Sequence, residues 1–147
     1  LPSGNSVAAL TMVRLSRMTG NGDLEKKVDR MVQTFSSQIS AYPLASTHFL
    51  QALDFALGPA QEIVIGGDKK NQTTQDMIRL VQKSFLPHKI VLLQSEGSEG
   101  ERLAKLSSFI TPMITCNQKP TVYVCEQFSC KKPMTEVEEL QSFLNTC

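Results

Sequence analysis

Apolar residues change their spacing near the middle of the chain. Before Gly58 they recur every three or four positions, and after it short β-branched runs alternate with amphipathic stretches. Pro2-Ser3-Gly4-Asn5-Ser6 reads as a loop rich in capping residues, followed by a helix from Val7 through Met18 that Thr19-Gly20-Asn21-Gly22 breaks. Asp23 suits the N-cap of a second helix. There Leu24, Val28, Met31, Val32, Phe35 and Ile39 fall on one face until Tyr42-Pro43 ends it. Ser46 suits the cap of a third helix, Thr47 to Leu57. In that helix Phe49, Leu50, Ala52, Leu53, Phe55, Ala56 and Leu57 surround the axis, a pattern that calls for burial on every side. Two neighbouring helices do not cover such a segment, so further helices are expected to pack here.

Beyond Gly58-Pro59, Glu62-Ile63-Val64-Ile65, Lys89-Ile90-Val91-Leu92-Leu93 and Thr121-Val122-Tyr123-Val124-Cys125 read as buried strands. A helix is expected from about Thr74 to Phe85, with Met77, Ile78, Val81 and Phe85 inward. Ser98 with Glu101, and Thr135 with Glu138, have capping-box spacing and open two more helices. The first carries Leu103 and Leu106, and the second turns Val137, Leu140, Phe143 and Leu144 inward. Strands alternating with helices predict an α/β fold. The expectation is a helical segment over residues 1–58, then a small three-stranded parallel Rossmann-like sheet with flanking helices over 59–147.

Composition narrows the function classes. The 147 residues are 41% apolar and 20% charged, ordinary values for a soluble domain or two small units. A net charge of +1 gives no field directed at nucleic acid or anionic membrane, so neither is expected as a partner. Aromatics make up 6% and Trp is absent, too few rings for a base-stacking platform or an aromatic sugar cleft. No apolar run reaches a membrane span and no signal or transit segment opens the chain. It begins Leu1-Pro2 without an initiator Met and reads as a piece of a longer precursor.

Cys116, Cys125, Cys130 and Cys147 form neither C-x-x-C nor zinc-finger spacing, so no metal is expected, and reduced intracellular thiols are the default. Asn71-Gln72-Thr73 matches the glycosylation pattern and reads as a chance match.

Four places carry candidate chemistry. Gly66-Gly67-Asp68-Lys69-Lys70 follows a strand and precedes a helix, where a parallel sheet binds ligands. Gly66, Gly67 and Lys69 would serve an anion-binding loop, but no phosphate fingerprint is present and a solvated βα loop is favoured. Cys125 closes a strand and Cys130 lies just beyond. One buried and one loop thiol are favoured, with a disulfide or redox-responsive pair as the alternative and Phe128 packed over the loop. Ser3, Gly4 and Asn5 would cap a helix or line a cavity. Asp54 lies in an apolar helix and would tie it to its neighbours or face a cavity, and His48 needs no function. No complete catalytic constellation assembles, so no enzyme is expected of this piece alone and no cofactor is implied.

Taken in order, Pro2 to Ala9, Ala52-Leu53-Asp54-Phe55 with Leu57-Gly58-Pro59, Glu62 to Ile65, and Val122 to Cys125 with Phe128 and Cys130 resemble the C-terminal end of the YyaL-type thioredoxin-domain proteins. The resemblance implies three parts: an N-terminal thioredoxin-like domain, a central α/α toroid similar to N-acylglucosamine 2-epimerases and six-hairpin glycosidases, and a C-terminal α/β segment. It makes the first three helices the last of the toroid and brings Ser3, Gly4 and Asn5 near its centre. It also implies a link to spermatogenesis and fertility, carried by a mammalian member. The expected partner is the remainder of the parent protein, with a homodimer of the piece as a further candidate driven by the third helix's surplus apolar surface.

Overall fold

The structure is a computed structural model that describes residues 1–126 and 129–146. The chain divides into two units, Leu1–Ala60 and Gln61–Cys147. The first unit holds α1 (Gly4–Thr19), α2 (Gly22–Ala41), a 3-10 turn (Pro43–Ser46) and α3 (Thr47–Leu57). Ser3 starts α1: its Oγ accepts from the Ser6 amide at 3.1 Å while the Ser6 hydroxyl donates to the Ser3 carbonyl at 2.8 Å. Gly20, with φ of 71°, ends α1 in the left-handed region, where its amide donates to the Ser16 carbonyl. Asn21, rather than Asp23, caps α2 by accepting from the Asp23 amide. Ala9, Ile39, Phe49 and Ala52 form the unit's core, and the Phe35 and Phe49 rings meet at 5.8 Å.

The third helix departs from the expected full burial. It buries Phe49, Ala52 and Phe55, but Leu50 and Asp54 are exposed and Leu57 is 84% exposed. Asp54 is thus not buried in the way its apolar surroundings suggested; its main-chain carbonyl accepts from the Gly58 amide. Ser46 makes no side-chain cap, because the preceding 3-10 turn runs directly into the helix.

The second unit holds β1 (Gln61–Gly66), α4 (Gln72–Lys83), β2 (Lys89–Gln94), α5 (Ser98–Leu106), a 3-10 turn (Ser108–Ile110), β3 (Thr121–Glu126), β4 (Ser129–Cys130) and α6 (Val137–Leu144). The sheet order is β2-β1-β3-β4. β1 and β2 are parallel, but β3 runs antiparallel to β1, and β4 antiparallel to β3. The expected three-stranded parallel sheet is therefore a four-stranded mixed one. The cause lies in the connection before β3. After α5 the chain returns to the carboxyl end of β1, where a Cβ on Gly66 would lie 2.8 Å from the Ile114 carbonyl carbon. Thr121, the first residue of β3, pairs there with Gly66, the last of β1, so β3 can only run backwards. A parallel strand would need a connection reaching back to the Gln61 end, roughly 20 Å away for a six-residue strand.

The two faces of the sheet differ. Ile63 and Ile65, with Val122 and Val124, pack against Met77 and Val81 of α4 and Leu140 of α6. Glu62 and Val64 project to the opposite face beside Ile90, Leu92, Tyr123 and Cys125. Beyond β4 the edge continues as a Val122–Met134 bridge. From Cys125 to Val122 is three residues, while from Cys130 to Met134 is four, so one extra residue bulges from the edge near Pro133.

Local chemistry explains the remaining departures. Asn71 caps α4, its Oδ1 accepting from the Thr73 and Thr74 amides, so this side chain of the glycosylation-like triplet is engaged in a cap. That helix ends at Lys83, and Phe85 falls outside it, losing the helical phase that would turn it inward; it is 91% exposed. Leu106 on α5 is exposed as well. Neither expected capping box forms. Ser98 already lies in the first turn of α5 behind Gly97 at φ of 82°, and α6 starts at Val137 with Glu136 in the cap position. The Lys89 ammonium closes the other end of α4 by donating to the Val81 and Ser84 carbonyls, and its burial depresses its pKa. Among the described residues no helix is long and apolar enough to cross a membrane.

Two glycines test this packing. A Cβ on Gly100 would overlap the Ser95 carbonyl oxygen, whereas one on Gly22 would meet open space. Gly100→Ala is expected to destabilise the chain by about 2 kcal/mol or more, and Gly22→Ala to be neutral or to stabilise it by about 0.5 kcal/mol, both read by urea unfolding.

Candidate functional site

A concavity lies in the helical unit. It is a cleft of about 710 Å³ where the start of α1, the end of α2 and the turn into α3 converge. Ser3, Asn5, Gln38, Ser46, Thr47 and His48 supply its polar atoms, with Phe35, Ile39, Leu44 and Phe49 among its apolar walls. The helix starts explain this gathering, because loops that begin helices carry hydroxyl and amide side chains. Ser3 and Asn5 therefore stand together on the cleft, but Gly4 and Asp54 are not among its lining residues. Ser3 Oγ is already engaged as a cap. His48, for which the sequence suggested no role, is half-buried on the wall. No carboxylate lines the cleft among the described residues. It offers hydrogen-bonding groups to a polar ligand but not the carboxylate pair that glycoside hydrolysis uses.

The Gly66–Lys70 loop sits at the carboxyl end of β1, as its sequence position required. Its donors and charges meet partners within the chain. The Gly67 amide donates to the Gln94 carbonyl, and Asp68 Oδ1 accepts from the Lys70 amide at 2.8 Å. Lys69 pairs with Glu99 at 2.9 Å, a contact that raises the lysine pKa and lowers the glutamate's through hydrogen bonding and then Coulomb attraction. A Cβ on Gly67 would press on Thr74 Oγ1 at 2.6 Å, so this glycine serves close packing of strand on helix. Loop donors and charge that meet internal partners are not arranged as a phosphate cradle.

The third place is the β3–β4 edge. Cys125 and Cys130 occupy paired positions on the two strands and are joined by a disulfide, with Cα atoms 3.9 Å apart. The favoured reading of two separate thiols is thereby corrected. The C-x4-C spacing becomes a cross-strand pair because the chain reverses between them. Gln127 and Phe128, including the expected packing of Phe128, lie outside the described residues, as does Cys147. Cys125 is fully buried and Cys130 is exposed. Next to Cys130 in the chain, Lys131 places its Nζ 3.4 Å from Glu126 and 4.8 Å from the Phe143 ring centroid.

Two features of this face escaped sequence reasoning. Glu62, fully buried, pairs directly across from Cys125. A Glu in phase with Val64 inside a buried strand was the available signal. Cys116, a half-buried free thiol, lies 3.4 Å from the Tyr123 hydroxyl, which donates to the Ile114 carbonyl at 2.7 Å. Burial, followed by the Cys116 contact, pushes the Tyr123 pKa up to about 12. No group of three or more potential metal ligands occurs among the described residues.

No family model matches the sequence. No solved structure gives a significant match. Curated proteins do. The chain is 29% identical over 144 residues to human spermatogenesis-associated protein 20, covering 98% of this chain. The rat and mouse proteins of the same name are each 28% identical over 144 residues, again across 98% of this chain. The chain spans 18% of the length of these relatives. The similarity thus runs through both units and is to a small part of each relative.

Proposed function

We propose that this chain is a C-terminal structural and interaction segment of a larger thioredoxin-domain protein linked to spermatogenesis and fertility. Its three helices are the last of an α/α toroid, and its α/β unit docks against that toroid. One observation carries the reading: the helical unit leaves Leu44 and Leu57, 90% and 84% exposed, with Leu50, Val7 and Leu15 also facing solvent. A set of large apolar side chains on so small a unit favours a covering partner. That the chain matches only 18% of the length of its relatives supports this reading, and their name supports the link to spermatogenesis.

Two measurements test it. The double substitution Leu44→Glu with Leu57→Glu is expected to shift the isolated chain's stability by no more than about 0.5 kcal/mol, as for a surface change. In the full-length protein the same pair is expected to cost about 3 kcal/mol or more, because charges would enter a packed interface. Equal, small effects in both settings would contradict docking. A thermal-shift panel of sugars and nucleotides on the isolated chain is expected to move Tm by less than about 1 °C. A rise of several degrees with a sugar would instead favour the cleft holding Ser3 and Asn5 as a carbohydrate subsite of a toroid enzyme.

A second reading is favoured by the Cys125–Cys130 bridge: a thiol-redox role at the β3–β4 edge. Alkylation of the denatured chain before and after reduction, followed by mass measurement, is expected to reveal two additional thiols after reduction. Full alkylation without reductant would remove this reading.

A further inference from the structure

We propose that the Cys125–Cys130 bridge is a redox-operated latch. Closed, it holds residues 129–134 along the outer edge of β3; reduced by a dithiol, it releases them while the rest of the sheet stays folded. The inference rests on the redox reading of that bridge and states what the redox change does to the fold.

The two edges of β3 are secured differently. Toward β1 the strand has six paired positions, from Gln61 opposite Glu126 to Gly66 opposite Thr121. Its outer edge has a short, interrupted partner. β4 gives two paired positions, Glu126 with Ser129 and Cys125 with Cys130. Beyond it the Lys131 amide donates to the Val124 carbonyl at 2.9 Å. After the bulge, Val122 and Met134 exchange bonds of 2.8 and 3.0 Å. Hydrogen-bonded and non-hydrogen-bonded pairs alternate along an antiparallel ladder. Lys131 bonds to Val124, so the next pair, Cys125 with Cys130, falls on a rung without backbone bonds. The Cα separation of 3.9 Å fits the closer spacing of such a rung. The disulfide is the lateral link there.

The two ends of the covering segment also differ. Met134 is buried and packs with Val122, Val124 and Leu140, so it is a fixed hinge. Ser129, Cys130, Lys131, Lys132 and Pro133 are all exposed. Lys131 meets Glu126 with both side chains nearly half exposed, and an ion pair so placed holds little. Its contact with the Phe143 ring is likewise at the surface of the edge. Without the bridge, the Cys130 end is left with a few edge hydrogen bonds open to water, the kind of contact that opens locally.

The exposures of the two sulfurs' residues fix the chemistry. Cys125 is 0% exposed and Cys130 is exposed, so a dithiol's thiolate attacks Cys130 Sγ. The sulfur–sulfur bond breaks, its electron pair goes to Cys125 Sγ, and a mixed disulfide forms on Cys130. The dithiol's second thiol loses a proton to water and attacks its own mixed-disulfide sulfur. That step releases the Cys130 thiolate and a cyclic disulfide. Both cysteine thiolates take protons from water, and two electrons pass from dithiol to protein. A thiolate at a buried position is costly, so opening of the segment, which admits water, favours the reduced state.

The test uses the whole 147-residue chain, oxidised or treated with dithiothreitol, and follows amide hydrogen exchange residue by residue. Reduction is expected to hasten exchange of the Lys131 amide about tenfold or more, and to leave the Ile65 and Leu92 amides of β1 and β2 within about twofold. Cys130→Ser removes the bridge at an exposed position. It is expected to reproduce the fast Lys131 exchange, with no further change on adding dithiothreitol. Unchanged Lys131 exchange on reduction would overturn the latch while leaving the redox reading intact. So would equal acceleration at Ile65 and Leu92, because the bridge would then hold the whole sheet rather than one edge. A native bridge that dithiothreitol does not reduce would overturn both.

Discussion

The constraint on which the helical unit depends is the circumference of α3. A helix with Phe49, Leu50, Ala52, Leu53, Phe55 and Leu57 cannot hide every apolar side chain against two neighbours. The structure resolves this by choosing a face. Phe49 and Ala52 enter a core with Ala9 and Ile39, Phe55 is buried beneath the Arg14 guanidinium at 5.5 Å, and Leu50 and Leu57 are left to solvent. Burying a leucine is worth roughly 2 kcal/mol, so surface of this kind is stabilising only where something covers it. The docking reading comes from that imbalance. The cleft lies beside the same elements, at the loops that start α1 and α3, and is bordered by the exposed Leu44.

The α/β unit has a different logic. β1 is flanked on both edges and carries Ile63 and Ile65 into a core closed by α4 and α6. Its other face carries Glu62 and Val64, with Glu62 paired across from the disulfide-bonded Cys125. The outer strand β4 is only two residues long, joined to β3 by hydrogen bonds and the bridge, with a bulge and Pro133 following. Short, bulged and proline-bearing edges resist pairing with other chains.

Much of this was legible because hydrophobic period encodes element type. The period of α2, the helix stop at Gly20, the apolar run of β1 and the inward Met77, Val81 and Leu140 all follow from spacing. Strand direction did not, because a period of two reads the same from either end. Only the return of residues 107–120 to the Gly66 end reverses β3. Caps failed for a related reason: Ser98 and Thr135 miss their cap positions by one residue, and capping depends on that single register. The exposure of Asp54 was not legible because its apolar neighbours were taken for burial all round, while the helix had an exposed side to receive it. The disulfide was compatible with its spacing, but its formation depends on a reversal that the intervening residues do not announce. The carboxylate opposite it became visible only once β1 and β3 were in register.

The most direct test of the docking account is amide hydrogen exchange over α1 to α3, compared between the isolated chain and the full-length protein. The account predicts that α3 amides, with those of the Pro43–Ser46 turn, exchange at least about tenfold more slowly in the longer protein, where the exposed leucines are covered. Equal protection of these helices in both would contradict it.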